Sequence, residues 1–202
     1  MKLCMAQINT LVGDIAGNTQ RVLEVSATQQ AAGAQVVIFP ELTLTGYPPE
    51  DLLLRGDLLD RTEAALARLC AELPPDMAVV VGYPRGRDGV LFNSAGVISA
   101  GKLLAQYDKQ CLPNYEVFDE KRYFSAGTEP CIVDIDGLAV GLTICEDIWH
   151  PEPAAQAKAA GAEMLININA SPFHRGKSSE RLERVKSCAM AHQLPIIYVN
   201  QV

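Results

Sequence analysis

The 202-residue sequence has no apolar run close to the ~20 residues that a membrane-spanning helix requires, so no helical span is expected. It has no CxxC pair and no Cys/His spacing suited to zinc; Cys4, Cys70, Cys111, Cys131, Cys145 and Cys188 are scattered without a disulfide framework. Reduced thiols in the cytoplasm, and no bound metal, are the expectation. Basic residues are outnumbered 17 to 24 and form no cluster, which argues against nucleic acid or an anionic membrane as partner. Histidine occurs only at His150, His174 and His192, and none has the neighbouring Asn/Asp motif typical of Cys–His hydrolases. No Gly-rich loop joins a strand to a helix, which counts against a phosphate-binding module. Polar residues interrupt Met1–Asn9 at once, so this segment reads as a strand and not as a signal peptide.

What is present suits one sizeable α/β domain. Apolar residues make up 49% of the chain and charged residues 20%, enough to build a large core. Helical patterns over 17–33, 58–72, 153–160 and 178–193 alternate with apolar strands at 35–39, 77–81, 164–168 and 195–200. Ala100-Gly101 and Asp136-Gly137 are turn pairs, giving hairpins 91–99/102–107 and 132–135/138–144.

An internal echo sharpens this. Ala31-Ala-Gly-Ala-Gln-Val-Val-Ile-Phe39 is similar to Ala159-Ala-Gly-Ala-Glu-Met-Leu-Ile-Asn167. In both, a helix ends on a glycine able to take a left-handed cap, and a buried strand follows. Equal counting from the two glycines reaches Glu41 and Asn169, with Ser171 two beyond. Polar groups at the carboxyl ends of strands are where open α/β sheets bind ligands. The long segments 46–56 and 110–130 are candidate binding loops. The last segment, Pro195–Val202, reads as a buried strand with no turn after it, so the domain is expected to continue beyond Val202.

Cys145 stands out. It follows Leu138–Ile144, where Leu138, Val140, Leu142 and Ile144 alternate with the smaller Ala139, Gly141 and Thr143. Strict alternation puts the sulfur on the small-residue face, just before Glu146-Asp147 and a Trp149-His150-Pro151 stop. A strand that ends in a nucleophile and turns sharply exposes it to substrate. A buried inert cysteine fits the same segment.

A reactive thiol needs a base and a group that holds an oxyanion. Glu41 ends an apolar strand, where low-dielectric walls raise a carboxyl pKa toward neutrality; a solvated loop acid fits equally. Lys109 ends the strand from Lys102 and suits fixing Glu41 as its carboxylate and holding an oxyanion, though taken alone it reads first as a surface lysine. Glu120 reads either as a second acid supporting Lys109 or as an exposed loop charge. Tyr47 reads as a site-lining or a packing tyrosine.

Three segments together resemble the nitrilase superfamily in order and spacing. They are Phe39-Pro-Glu41-Leu-Thr-Leu-Thr-Gly-Tyr47-Pro, Tyr107-Asp-Lys109-Gln-Cys-Leu-Pro-Asn-Tyr115 and Leu142-Thr-Ile-Cys145-Glu-Asp-Ile-Trp149. The resemblance covers essentially the whole chain and implies an α-β-β-α sandwich, incomplete at its C-terminal end, with Glu41, Lys109 and Cys145 as catalytic triad. Pro48-Pro-Glu-Asp-Leu-Leu53, residues 112–124 and Asn169-Ala-Ser-Pro172 narrow it toward the glutaminase domains of glutamine-dependent NAD synthetases.

That narrower resemblance implies hydrolysis of the glutamine side-chain amide through a Cys145 thioester, with ammonia passed on for ATP-dependent amidation of deamido-NAD. It implies contacts to L-glutamine from Tyr115, Phe118, Glu146, Ser171 and Lys177, the last where some relatives have arginine. ATP and magnesium would belong to a C-terminal synthetase domain, of which residues 1–202 hold no pyrophosphate loop. Superfamily members often assemble, so a homo-oligomer is expected. The competing readings are a stand-alone amidase or carbamoylase with the same triad, and a non-catalytic assembly domain.

Overall fold

The two echoed segments fold alike but in different sheets. Each helix runs into a glycine with positive φ, +83° at Gly33 and +97° at Gly161. A parallel strand follows in each case: β2 (Val36–Ile38) and β8 (Met164–Asn169). The computed structural model describes residues 1–115, 118–172 and 175–202, the Lys177 side chain excepted.

The first sheet has the order β1-β2-β3-β4-β5, from β1 (Leu3–Met5) through β3 (Ala78–Arg87) and β4 (Val90–Ser99) to β5 (Lys102–Asp108). Its first three strands are parallel and its last two pairings antiparallel. The second sheet has the order β6-β7-β8-β9. Here β6 (Ile132–Ile135) is antiparallel to β7 (Leu138–Ile144), and β8 and β9 (Ile196–Asn200) continue parallel.

The layers follow from alternation along each strand. Val37 and Phe39 face α1 (Ile15–Ala31) and α2 (Gly56–Glu72), packing with Val22 and Leu69. Val36 and Ile38 face the other sheet and meet Val140, Leu142, Ile144 and Ile166. Beyond the second sheet, Leu165 packs with Ala157 of α3 (Pro151–Ala159) and Cys188 of α4 (Lys177–His192). The fold is therefore an α-β-β-α sandwich. Each aliphatic side chain fully buried between the layers contributes roughly 1.5–3 kcal/mol, so the layers cohere mainly through such burial.

Three differences from the sequence reading have local causes. First, β3 runs on to Arg87 instead of ending near Val81, despite Pro84. Past Val80 its only strand partner is β4, the last bond on the other side being Leu44 N–H to the Gly82 carbonyl, and a proline is tolerated on the edge beyond. Asp88 and Gly89, at φ +53° and +77°, close that hairpin. Second, the candidate binding loops contain 3₁₀ turns at Glu50–Leu54 and Glu120–Arg122. Third, the small residues of β7 do not clear a face for a sulfur. A Cβ on Gly141 would lie 2.8 Å from Leu165 Cδ2 and 3.2 Å from Ala157 Cβ, so that face is closed by β8 and α3.

Candidate active site

Cys145 departs from the alternation of β7. It begins a 3₁₀ turn, Cys145–Trp149, at φ +47°, a left-handed conformation that costs a non-glycine residue roughly 1–3 kcal/mol. The reversal turns the side chain from the α3 side to the inter-sheet side, where it packs with Val140, Leu142 and Ile144. This corrects the face expected from strict alternation. The thiol points to the partner sheet, and the residue is only 6% exposed.

The first sheet supplies a charged cluster. Glu41 lies just past β2, Lys109 just past β5 and Glu120 in the second long loop; the first two side chains have no exposure. Lys109 Nζ donates to Glu41 Oε1 at 2.7 Å and to both Glu120 oxygens at 2.8 and 2.9 Å. Tyr47 OH donates to Glu120 Oε1 at 3.2 Å. Asn93 Nδ2 donates to Glu41 Oε1 at 2.7 Å, and the Asn93 carbonyl accepts the Lys109 N–H at 2.8 Å. Glu41 Oε2 accepts one bond, from the Ala170 N–H at 3.0 Å. Glu41 Oε1 is thus filled by two donors, and Oε2 keeps a position for a proton.

Burial decides the protonation states. It pushes the Cys145 thiol well above its ordinary value; the Glu41 charge adds to this and Lys109 opposes it. The resting sulfur is therefore a neutral thiol. For Lys109, burial favours the neutral amine, but Glu120 and Glu41 outweigh it and hold the ammonium well above the usual lysine range. Burial raises the Glu120 carboxyl, with Lys109 pulling the other way. Tyr47 is raised by burial and then by Glu41, so its hydroxyl stays a donor. The arrangement can take a proton from a thiol, hold a cation beside a reacting centre and exclude water from both.

Of the other expected residues, Phe118 and Ser171 line a neighbouring cavity, and Tyr115 and Glu146 pair with each other. Tyr115 OH donates to both Glu146 oxygens at 3.0 Å, and its ring meets Phe118 edge-on at 5.7 Å. Ser171 is tied by its N–H to Asn200 Oδ1 at 2.9 Å and by its carbonyl to Arg181 Nη2 at 2.9 Å. A cavity of about 800 Å³ is lined by Tyr47, Phe118, Ala170, Ser171, Arg181 and Asn200, among others. Tyr47 and Ala170 join its wall to the charged cluster. Lys177 opens α4, and its side chain lies outside the described residues, as does His174. Among the described residues no group of three His, Cys, Asp or Glu would hold a metal ion, and no helix is long and apolar enough to cross a membrane.

Sequence reasoning missed Asn93, Arg181 and the Ala170 N–H. Asn93 carried one signal, an amide inside the apolar run Val90–Ser99. Asn169, reached by the internal count, bonds the carbonyls of Asn167 and Val199 instead; the next N–H in the chain is the one that reaches Glu41.

Residues 2–202 match the carbon-nitrogen hydrolase family. A glutamine-dependent NAD(+) synthetase from Xanthomonas campestris is 43% identical over 209 residues, covering 100% of this chain and 37% of that protein. The solved glutamine-dependent NAD+ synthetase from Acinetobacter baumannii superposes with a TM-score of 0.94 at 38% identity, covering 99% of this chain and 38% of its own. An amidase from Nesterenkonia sp. superposes with a TM-score of 0.89 at 25% identity, covering 100% and 76% respectively. The chain thus spans little more than a third of the synthetases it matches.

Proposed function

Because the chain belongs to the carbon-nitrogen hydrolase family, we propose that it is the glutamine amidohydrolase unit of a glutamine-dependent NAD synthetase. The observation that carries the reading is the fully buried Glu41–Lys109 pair beside a buried thiol, on a chain similar over its whole length to enzymes of that name. The Nesterenkonia amidase favours a second reading, an amidase acting alone. The Acinetobacter synthetase exceeds that amidase in both identity and superposition and the Xanthomonas synthetase in identity, so the synthetase reading ranks first.

In the proposed reaction Glu41 Oε2 takes the Cys145 proton as the sulfur attacks the carboxamide carbon. Proton transfer accompanies attack because the resting thiol is neutral. Lys109 and the Glu146 N–H stabilise the oxyanion; removing one such donor typically costs about 3–4 kcal/mol of barrier. Collapse breaks the C–N bond, Glu41 returns its proton to the nitrogen, and ammonia leaves a thioester. Glu41 then takes a proton from water, whose oxygen attacks the thioester; glutamate and the thiol are released. Tyr115, Glu146, Ser171 and Lys177 are assigned to the amino-acid head group of glutamine, Phe118 to the pocket wall, and Tyr47 and Glu120 to support of Lys109.

Ammonia would pass to a C-terminal synthetase domain, where ATP and magnesium serve the amidation of deamido-NAD. A cytoplasmic homo-oligomer suits such an enzyme. The test uses the complete protein. Cys145→Ala should abolish glutamine-dependent NAD synthesis and glutamate release while leaving ammonia-dependent synthesis intact. Equal loss of both activities defeats the assignment.

A further inference from the structure

A second buried acid lies next to the nucleophile and takes no part in the chemistry above. Asp147 has no exposure, yet no cation pairs with it among the described residues. Its Oδ2 accepts the Ile144 N–H at 2.8 Å and the Tyr107 hydroxyl at 2.8 Å. Its Oδ1 accepts the Gln110 N–H at 3.1 Å and the Cys111 N–H at 2.8 Å. Two donors on each oxygen fill the carboxylate's usual acceptor capacity.

The donors come from two places that matter. Ile144 and Asp147 bracket Cys145 in the left-handed turn of the second sheet. Tyr107, Gln110 and Cys111 bracket Lys109 at the end of β5, in the first sheet. One side chain therefore spans the inter-sheet gap and grips the chain on both sides of Lys109 and of Cys145. Without it the Ile144, Gln110 and Cys111 N–H groups would be left without this partner. A left-handed cysteine would also lose the bond that closes its turn.

We propose that Asp147 is a positioning residue that sets the distance between Cys145 and Lys109, with Tyr107 as its aligning partner. The proposal rests on the glutaminase reading only for its turnover readout. Misplacement by about 1 Å costs on the order of 100-fold in rate, so a strut between nucleophile and oxyanion partner acts on turnover more than on binding. A carboxylate that merely satisfied buried N–H groups would affect stability and leave the thiol's reactivity unchanged.

Asp147→Asn discriminates between the two. The amide oxygen can keep the Gln110 and Cys111 bonds and the Tyr107 hydroxyl can rotate to accept, but the amide NH₂ then opposes the Ile144 N–H. In the complete protein, iodoacetamide labelling of Cys145 is followed by peptide mass spectrometry. Labelling is expected to slow by roughly tenfold or more, and kcat for glutamine to fall similarly with KM within about threefold. Tyr107→Phe, which leaves three N–H donors on the carboxylate, should slow labelling by a smaller factor and add little on top of Asp147→Asn. Cys145 labelling at the unaltered rate in either folded variant overturns the proposal. Should Asp147→Asn fail to fold, Tyr107→Phe decides alone. Asp147-dependent labelling in a protein that releases no glutamate would reject the glutaminase reading and keep this one. Unchanged labelling beside intact glutamate release does the reverse.

Discussion

Gly82 of β3 lies directly beneath Glu41. A Cβ built on it would fall 2.4 Å from Leu42 N, 2.7 Å from Pro40 O and 2.9 Å from the Glu41 carbonyl carbon. These are backbone atoms and cannot swing aside. The carboxylate therefore occupies its place because a side chain is missing one strand away.

Gly82→Ala is expected to cost about 1–3 kcal/mol, the usual range for forcing a methyl into packed space. Because the displaced atoms are those that carry Glu41, glutamine hydrolysis should fall along with stability. Denaturant titration and initial rates check both. A folded variant with normal turnover would show that the Glu41 backbone is not held from below.

Lys109→Met removes the only cation within hydrogen-bond reach of Glu41 and Glu120 among the described residues, leaving two buried carboxylates side by side. Breaking one partner of a buried pair costs about 3–5 kcal/mol, because the remaining charge is uncompensated. Adding Glu120→Gln should restore part of that stability and none of the activity. Urea midpoints for the single and double variants make the comparison. A double variant as unstable as the single one contradicts the electrostatic account.

Glu120→Gln probes the sign of the cluster's field. Burial, then Glu41, then Glu120 raise the Cys145 thiol, so removing the Glu120 charge should move the pH midpoint of Cys145 alkylation downward. Stability gives an independent check. The Glu120 carboxyl is raised in the folded state, so its contribution is fully present below the unfolded value of about 4.3 and is lost as pH rises through the folded value. The unaltered protein should therefore lose stability relative to the variant across that window. An upward alkylation midpoint, or a stability difference of opposite slope, would be inconsistent with both expectations.

Much of the fold was legible because its signals are local. Apolar alternation marks β7, the glycines at 33 and 161 end helices, and Ala100-Gly101 and Asp136-Gly137 turn hairpins at positive φ. Glu41 and Cys145 were legible as candidates because each follows an apolar strand; Lys109, after the mixed strand Lys102–Asp108, was legible only through the family resemblance. Asn93 left only its place inside an apolar run, and Asp147 was not legible, since nothing around it in the chain sets it apart and its role lies in its partners. The face taken by Cys145 was misread for the same reason. Period two predicts a direction only while φ stays negative, and nothing adjacent to Cys145 in the chain requires a positive value.

By itself, then, the sequence determined the element types, their approximate limits and the kinds of side chain delivered to strand ends, all governed by short-range sterics and burial. Only the tertiary structure decided that those strand ends converge. Glu41 meets Lys109 across 68 residues at the end of one sheet, and meets the Ala170 N–H across 129 where the second sheet packs against the first. The direction of the Cys145 sulfur belongs to that second group. It follows from a left-handed turn held by an Asp147 carboxylate whose other oxygen is bound to the opposite sheet's chain.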